Sequence, residues 1–351
     1  MLYIITKRIL YGFVVLILVI SLVSSIIYLA PVDPTRLSFG QMSDVQTVEL
    51  KKKQLGLDKS LPVQLLYYLN DLLPVSLYSN EVLGLKSFKY CTLYKGNQKS
   101  VVLKFPYLRE SYQNGRKVSE LIGETLPKTL ILAFTAFIFA FIIGIILGLI
   151  AAMKRNTIYD RIIIAGSTLG VSLPSYIPAI LFAIVFGYIL SKYTGLDVQG
   201  GLYELDALGD ERLQLKNLIL PALALGIRPI AMITQLSRSA LLDVLNQDYI
   251  TTARAKGVRL KDLIMKHLLP NSSITIIAAS SGWLATLLTG SYFVETIFNF
   301  KGIGELTINA LSTFDIPVIL GTLITTCVLY IVLNIIVDLL YLWADPRIKY
   351  Q

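Results

Sequence analysis

Apolar residues in this chain fall in long unbroken runs separated by shorter charged stretches. The runs are Ile9 to Ala30 and those near 129–152, 162–190, 217–236, 272–293 and 316–341. Each is about the 20 residues that a helix needs to cross ~30 Å of hydrocarbon. The pattern therefore predicts an all-α polytopic membrane protein with six transmembrane helices. Lys7 and Arg8 precede the first run, as they would in a signal peptide. That run exceeds a signal h-region, however, and Pro31 follows Ala30 with no small-x-small site before it. Residues 1–30 are read as a retained first span, 31–128 as an extracytoplasmic insertion and 129–351 as a core of five helices.

Finer patterns sit inside this plan. Ala140, Gly144, Gly148 and Ala152 recur every four residues, which predicts a face for close helix–helix approach. Thr125-Leu126-Pro127 is expected to introduce the second span, and Pro174 and Pro178 predict bends in the third. Within the insertion, Leu61 to Leu73 reads as an amphipathic helix. Ser87 to Lys95 and Gln98 to Phe105 read as strands joined by a Gly96-Asn97 hairpin turn. The insertion is either a cap on the first two spans or a docking surface for a substrate-delivery protein.

Charge orients the plan. The loop at 191–216 has five acidic and three basic residues, and that between spans five and six has three and one. The loop at 237–271 reverses the balance, with six basic and three acidic residues. Positive charge marks the cytoplasmic side, so both termini are placed there, and the tail's Arg347 and Lys349 agree. The basic insertion is no objection, because long translocated segments are exempt from that rule. The net charge of +9 follows loop topology and does not collect on one soluble face, so no nucleic-acid partner is expected. With one histidine, His267, and two cysteines, Cys91 and Cys327, no metal site or cofactor is expected on this chain.

The longest polar interruption of the second half is QDYITTARAKGVRLKDLIMKHLLPN, Gln247 to Asn271. Its spacing predicts two short helices. One carries Leu241, Leu245, Tyr249 and Ala253 and is closed by Gly257; the other carries Leu260, Leu263, Ile264 and His267 and stops before Pro270. Its charges exclude it from lipid, which leaves a surface loop or a segment held in a partner's groove.

The segment resembles the "EAA" loop of binding-protein-dependent ABC importer permeases. The resemblance rests on Gly257, the nine residues after it and then His267-Leu268-Leu269-Pro270. Thr251, Thr252 and Ala253 stand where the family has Glu-Ala-Ala, and TARAKG, Thr252 to Gly257, is typical of the oligopeptide, dipeptide and nickel branch. TLPKTL before the second span, ETIFNFKGIG at Glu295 to Gly304 and the closing DPRIK resemble the B-type subunit of peptide permeases, whereas 31–128 matches poorly. The resemblance implies a type I importer permease in a bacterial cytoplasmic (inner) membrane. It would pair with a homologous second permease, as a heterodimer, above two cytoplasmic ATPase subunits that bind ATP-Mg, and an external binding protein would deliver a peptide. Coupling to the ATPases would fall to Tyr249, Thr251, Thr252, Ala253, Arg254, Ala255, Lys256, Gly257 and Pro270.

Other classes fit less well. A nickel importer of the same branch shares the loop motif, and the lack of a Cys/His/Met cluster favours a peptide. An ion-coupled secondary transporter normally carries mid-membrane carboxylates, but Arg228 is the one mid-span charge and Asp338 lies near a span end. An intramembrane enzyme would need a nucleophile–base pair, and the chain has no GxxxxGK[ST] loop with which to hydrolyse ATP. Arg228 is expected to face the transport pathway, a partner helix or a peptide carboxylate, or else to bond backbone carbonyls.

Overall fold

The computed structural model describes residues 2–29, 59–83, 89–205 and 210–344. Among the described residues, five helices are long and apolar enough to cross a membrane, or six if one sharply bent pair counts as a single span. The chain divides into two compact units.

One unit holds residues 2–125 and 306–328. It contains helix α1 (Leu2–Leu29), helix α2 (Leu61–Leu72) and a sheet of β1 (Val75–Ser79), β2 (Tyr90–Lys95) and β3 (Lys99–Lys104). The α2 helix lies where the amphipathic pattern puts it. The hairpin is present as β2 and β3 with a bulge between Thr92 and Tyr94, and its turn spans Gly96, Asn97 and Gln98. Residues 84–88, where the first strand was expected to begin, lie outside the described residues. The sequence reading missed β1, which pairs antiparallel with β3 and makes β3 central.

Asp71 on α2 ties the unit together. It accepts from Tyr78 Oη at 2.6 Å and from Arg109 Nε at 2.8 Å, and its carbonyl accepts from the Tyr107 amide and from Lys104 Nζ. Burial and this bond to Asp71 both push the Tyr78 phenol above the ordinary tyrosine range. Ile20 of α1 packs with Tyr68, Tyr112, Ile316, Leu320 and Ile324, so the insertion covers part of α1 and of the last long helix. Asp315 accepts from the Tyr112 amide at 3.0 Å and from Ser111 Oγ, which clasps the segment 111–113 to the start of that helix.

The core unit holds residues 126–305 and 329 onward. Helix α3 (Val118–Met153) begins well before the expected position 129 and runs through Pro127. Its small-residue ridge faces the central helix: a Cβ on Gly144 would meet Ile233, and one on Gly148 would meet Ser237 and the Thr234 carbonyl. The opposite stripe, Phe134, Ile138, Ile142, Ile146 and Ile150, is exposed, as a lipid-facing surface would be.

The bend expected in the third predicted span is present and sharp, making it a broken span or a re-entrant loop. Helices α4 (Ile158–Ser172) and α5 (Tyr176–Ile189) meet at 110°. Pro174 forces Leu173 into extended backbone (ψ 129°), which ends α4, whereas Pro178 lies in the first turn of α5, where no N–H is needed. The strands β4 (Tyr203–Leu205) and β5 (Glu211–Leu213) form a small hairpin before helix α6 (Ile219–Leu245). Of the candidate spans, the segment containing α6 is the most enclosed, 67% buried within the chain. Beyond it come α7 (Asp248–Ala255), the continuous helix α8 (Leu260–Phe298), α9 (Ile303–Ser312) and α10 (Ile316–Ala344). The tail motif DPRIK lies outside the described residues.

Candidate functional site

The basic interruption folds as an elbow, differently divided from the sequence expectation. Leu241 and Leu245 belong to the long α6, which stops at Asn246. Gln247 is extended (ψ 144°), and a separate helix, α7, follows. This phase change buries Ile250 completely and leaves Tyr249 exposed, so Tyr249 is not on the packed face as the i, i+4 spacing implied. Ile250 sits in a cluster with Ala152 of α3, Leu241 of α6 and Leu263 and Leu268 of α8. Burying one such side chain stabilises by about 1.5–3 kcal/mol, enough to seat a two-turn helix that would not hold alone.

Gly257 closes α7 as predicted, and the geometry explains the residue type. Its φ is +74°, its amide bonds to the Arg254 carbonyl at 3.0 Å, and the Val258 amide bonds to the Ala253 carbonyl at 3.2 Å. These two bonds, with Val258 and Ala253 packed in the same cluster, make a Schellman motif. The second arm departs from expectation, because it does not stop before Pro270. Leu260–Asp262, a π-helical stretch Leu263–Leu268 and Leu269–Phe298 form one helix. The Leu269 amide bonds to Ile264 O, five residues back, and this wider turn makes room for a proline that can neither donate nor fit against the usual i−4 carbonyl.

The structure brings most of the predicted coupling residues onto one open surface. Tyr249, Thr251, Thr252, Arg254, Ala255, Lys256 and Gly257 are exposed, Ala253 is half-buried against the cluster, and Pro270 is exposed on α8. Arg254 and Lys256 make no side-chain hydrogen bond or ion pair among the described residues, so both charges are free to meet a partner.

Two polar contacts that sequence reasoning missed fix the platform under the elbow. Arg238 of α6 bonds both oxygens of Asp160 of α4, Nε at 2.6 Å and Nη2 at 2.7 Å, and the Asn156 amide also donates to Asp160. Asp160 is almost fully buried, so the pair holds the start of α4 against α6. Arg155 Nη1 reaches Asn246 Oδ1 at 3.2 Å, at the joint between α6 and α7. No spacing rule links residues so far apart in the chain.

At the other end of α8 the ETIFNFKGIG segment forms a second closed junction. Glu295 is buried and its Oε2 accepts from the amides of Gly304 (2.7 Å) and Glu305 (3.2 Å), at the positive end of α9. Thr129 of α3 accepts from the Ile303 amide at 2.8 Å. A Cβ on Gly302 would collide with Glu295 and Thr129, and one on Gly304 with Tyr292, so both glycines answer to close approach. Arg228 lies on α6, exposed, with no side-chain partner among the described residues.

A bundle of helices long and apolar enough to span a membrane thus carries a helical elbow seated on three of its ends, with one face open. Residues 144–350 match the family described as the binding-protein-dependent transport system inner membrane component, and residues 1–133 match its N-terminal model; the chain belongs to this family. The second match extends the family likeness over residues 31–128, the region that matches poorly by motif alone. Members are non-enzymatic multi-pass inner-membrane subunits of ABC importers, with ATP hydrolysis in separate subunits. The chain is 32% identical to the di/tripeptide transport system permease protein DppB of Pseudomonas aeruginosa, over 93% of both chains. It is 30% identical to the glutathione transport system permease protein GsiC of Salmonella choleraesuis, over the whole of both. Among solved structures, the MetNI methionine ABC transporter in an inward-facing conformation is 18% identical with a TM-score of 0.50, covering 64% of this chain and 97% of that one. That likeness concerns the fold alone.

Proposed function

We propose that this chain is the permease subunit of an ATP-driven peptide importer and that α7 with Gly257 is the coupling element that enters the ATPase. The observation that carries the coupling assignment is the elbow itself. Its apolar face is fixed on the ends of α3, α6 and α8, while Tyr249, Thr251, Thr252, Arg254 and Lys256 stay uncovered. Peptide as substrate is supported by relatives named for di/tripeptide and glutathione transport that match along nearly the entire chain.

The assembly proposed is a heterodimer of this chain with a second permease, two ATPase subunits carrying ATP-Mg on the cytoplasmic side, and an external binding protein. Both termini and the elbow face the cytoplasm, and residues 31–128 lie outside. Closure of the ATPases moves α7, and the spans alternate between inward and outward access. Arg228, a cation within the most enclosed span, faces the route and not lipid, where an unpaired charge is costly. Arg228→Gln should then reduce uptake while the complex still assembles.

The test is ATP-driven uptake by proteoliposomes holding the full complex and its binding protein. Trialanine accumulation that needs ATP supports the reading. Accumulation of nickel ions with no peptide uptake overturns the substrate, and uptake independent of ATP overturns the class.

A further inference from the structure

Helix α6 is enclosed on nearly every side except one. Arg228 and Ser239 are exposed, and Met232 and Gln235 are half-covered; these residues follow one another at intervals of four, three and four. At 100° per residue they form a single stripe about 60° wide. Around it, Ala224, Leu225, Ile233, Thr234, Ser237 and Leu241 are buried against neighbouring helices. The arginine, the glutamine and the serine make no side-chain hydrogen bond among the described residues, although Thr234, on the packed side, bonds back to the Ile230 carbonyl at 2.7 Å. Three unsatisfied polar side chains along one face of a membrane span do not tolerate hydrocarbon. Arg228 is the one charge on the stripe, with no carboxylate between it and Ser239, and the other arginine of that stretch, Arg238, is already paired with Asp160.

Resting on the peptide-import reading, we propose that this stripe lines the substrate route, with Arg228 taking the carboxylate of a short peptide and Gln235 pairing with its backbone. The geometry sets the size of the ligand. Arg228 and Gln235 are seven residues apart, about 10 Å along the helix axis. An extended peptide advances about 3.3–3.6 Å per residue, so some three residues span the two groups. Arginine's planar fork pairs with both oxygens of a terminal carboxylate, and the glutamine amide offers one donor and one acceptor to a peptide group. Ser239, a turn further on, leaves the stripe polar toward the elbow. A helix of the second permease is the competing occupant, and the test separates the two.

The experiment uses the whole complex in a background where Cys91 and Cys327 are replaced by serine, first shown to transport trialanine. Single cysteines are placed at Met232, Gln235 and Ser239, with Ile142→Cys and Ile146→Cys as lipid-facing controls and Ile233→Cys as a buried one. A membrane-impermeant thiol reagent should label the stripe at least tenfold faster than the controls. Excess trialanine, added without binding protein, should slow labelling of Gln235→Cys several-fold, while its C-terminal amide should not. Adding Arg228→Gln should abolish that protection, and Arg228→Lys should retain part of it.

Stripe cysteines that label no faster than Ile142→Cys overturn the proposal. So does efficient cross-linking of Met232→Cys and Gln235→Cys to the second permease, or labelling that trialanine leaves unchanged. Failure of the background complex to transport trialanine strikes instead at the peptide-import reading.

Discussion

Substitution of Gly257 tests the coupling role proposed for α7 apart from the rest of the molecule. Its φ of +74° belongs to the left-handed region, and a Cβ built there meets nothing within 4 Å. A side chain at this position therefore causes no collision, and its cost is purely conformational. Holding an L-residue in this region costs about 1–2 kcal/mol, and toward 3 for a β-branched one. Escaping to negative φ would instead break the bonds from Gly257 and Val258 to Arg254 and Ala253. Each of those contributes roughly 0.5–1.5 kcal/mol. Either way the seated elbow loses about 1–3 kcal/mol, a factor of roughly 5 to 150 in its population.

The expected order of function is wild type, then Gly257→Asn, then Gly257→Ala, then Gly257→Val, because asparagine tolerates the left-handed region best after glycine. The assay is ATPase stimulation by binding protein and peptide in proteoliposomes, after assembly of the complex and membrane yield are shown to be equal. Gly257→Val at wild-type stimulation would refute the coupling role. Gly257→Asn as damaging as Gly257→Val would refute the conformational argument even if the site matters.

Three further outcomes follow from the packing. Asp160→Ala strands Arg238 beside buried surface; breaking a buried pair costs about 3–5 kcal/mol, and with Arg238 27% exposed the lower end applies. The thermal midpoint of the purified complex should fall, and Asp160→Asn, which keeps a hydrogen-bond acceptor, should fall less. Gly148→Val forces a branched side chain onto Ser237 and the Thr234 carbonyl, where overpacking costs about 1–3 kcal/mol, whereas Ile146→Val on the exposed stripe should leave the midpoint unchanged. The raised Tyr78 phenol contributes stability below its unfolded value of about 10 that is lost as pH climbs through the higher folded value. Limited proteolysis across 61–104 should therefore accelerate at strongly alkaline pH in the wild type, and Tyr78→Phe should remove that dependence.

The sequence carried the parts of the fold that local physics decides. The apolar runs located the spanning helices, the Ala140–Ala152 repeat located a packing ridge, and Gly257 marked a helix end, because each is set by residues close in the chain. Readings failed where a distant partner or backbone strain decided. Strand β1 is held by β3 rather than by its own pattern, and the Asp160–Arg238 pair joins residues with no spacing signature. The prolines are legible only in part, the bend at Pro174 being present and the stop at Pro270 absent. Three of them behave in three ways: Pro174 breaks a helix outright, Pro178 opens one, and Pro270 is absorbed by a π turn. The residue type is the same, and what differs is whether neighbouring carbonyls can be rearranged.

The fate of Pro270 also bears on how coupling would work. Had the helix stopped there, a further break would separate α7 from the span that follows it. Instead the second arm is the first turns of a helix that runs unbroken to Phe298, about 58 Å at 1.5 Å per residue. The helical run is interrupted on either side of α7, at Asn246–Gln247 and at Gly257–Arg259. A displacement of α7 therefore has two outlets. Through Gly257 it acts on a rod whose far end is locked to α9 by Glu295, and through Gln247 it acts on α6, which Asp160 ties to α4. If the stripe on α6 lines the route, the second outlet moves the route wall relative to the first. On the coupling role proposed for α7, a push at the elbow would reach the far end of α8 and the central helix α6 together.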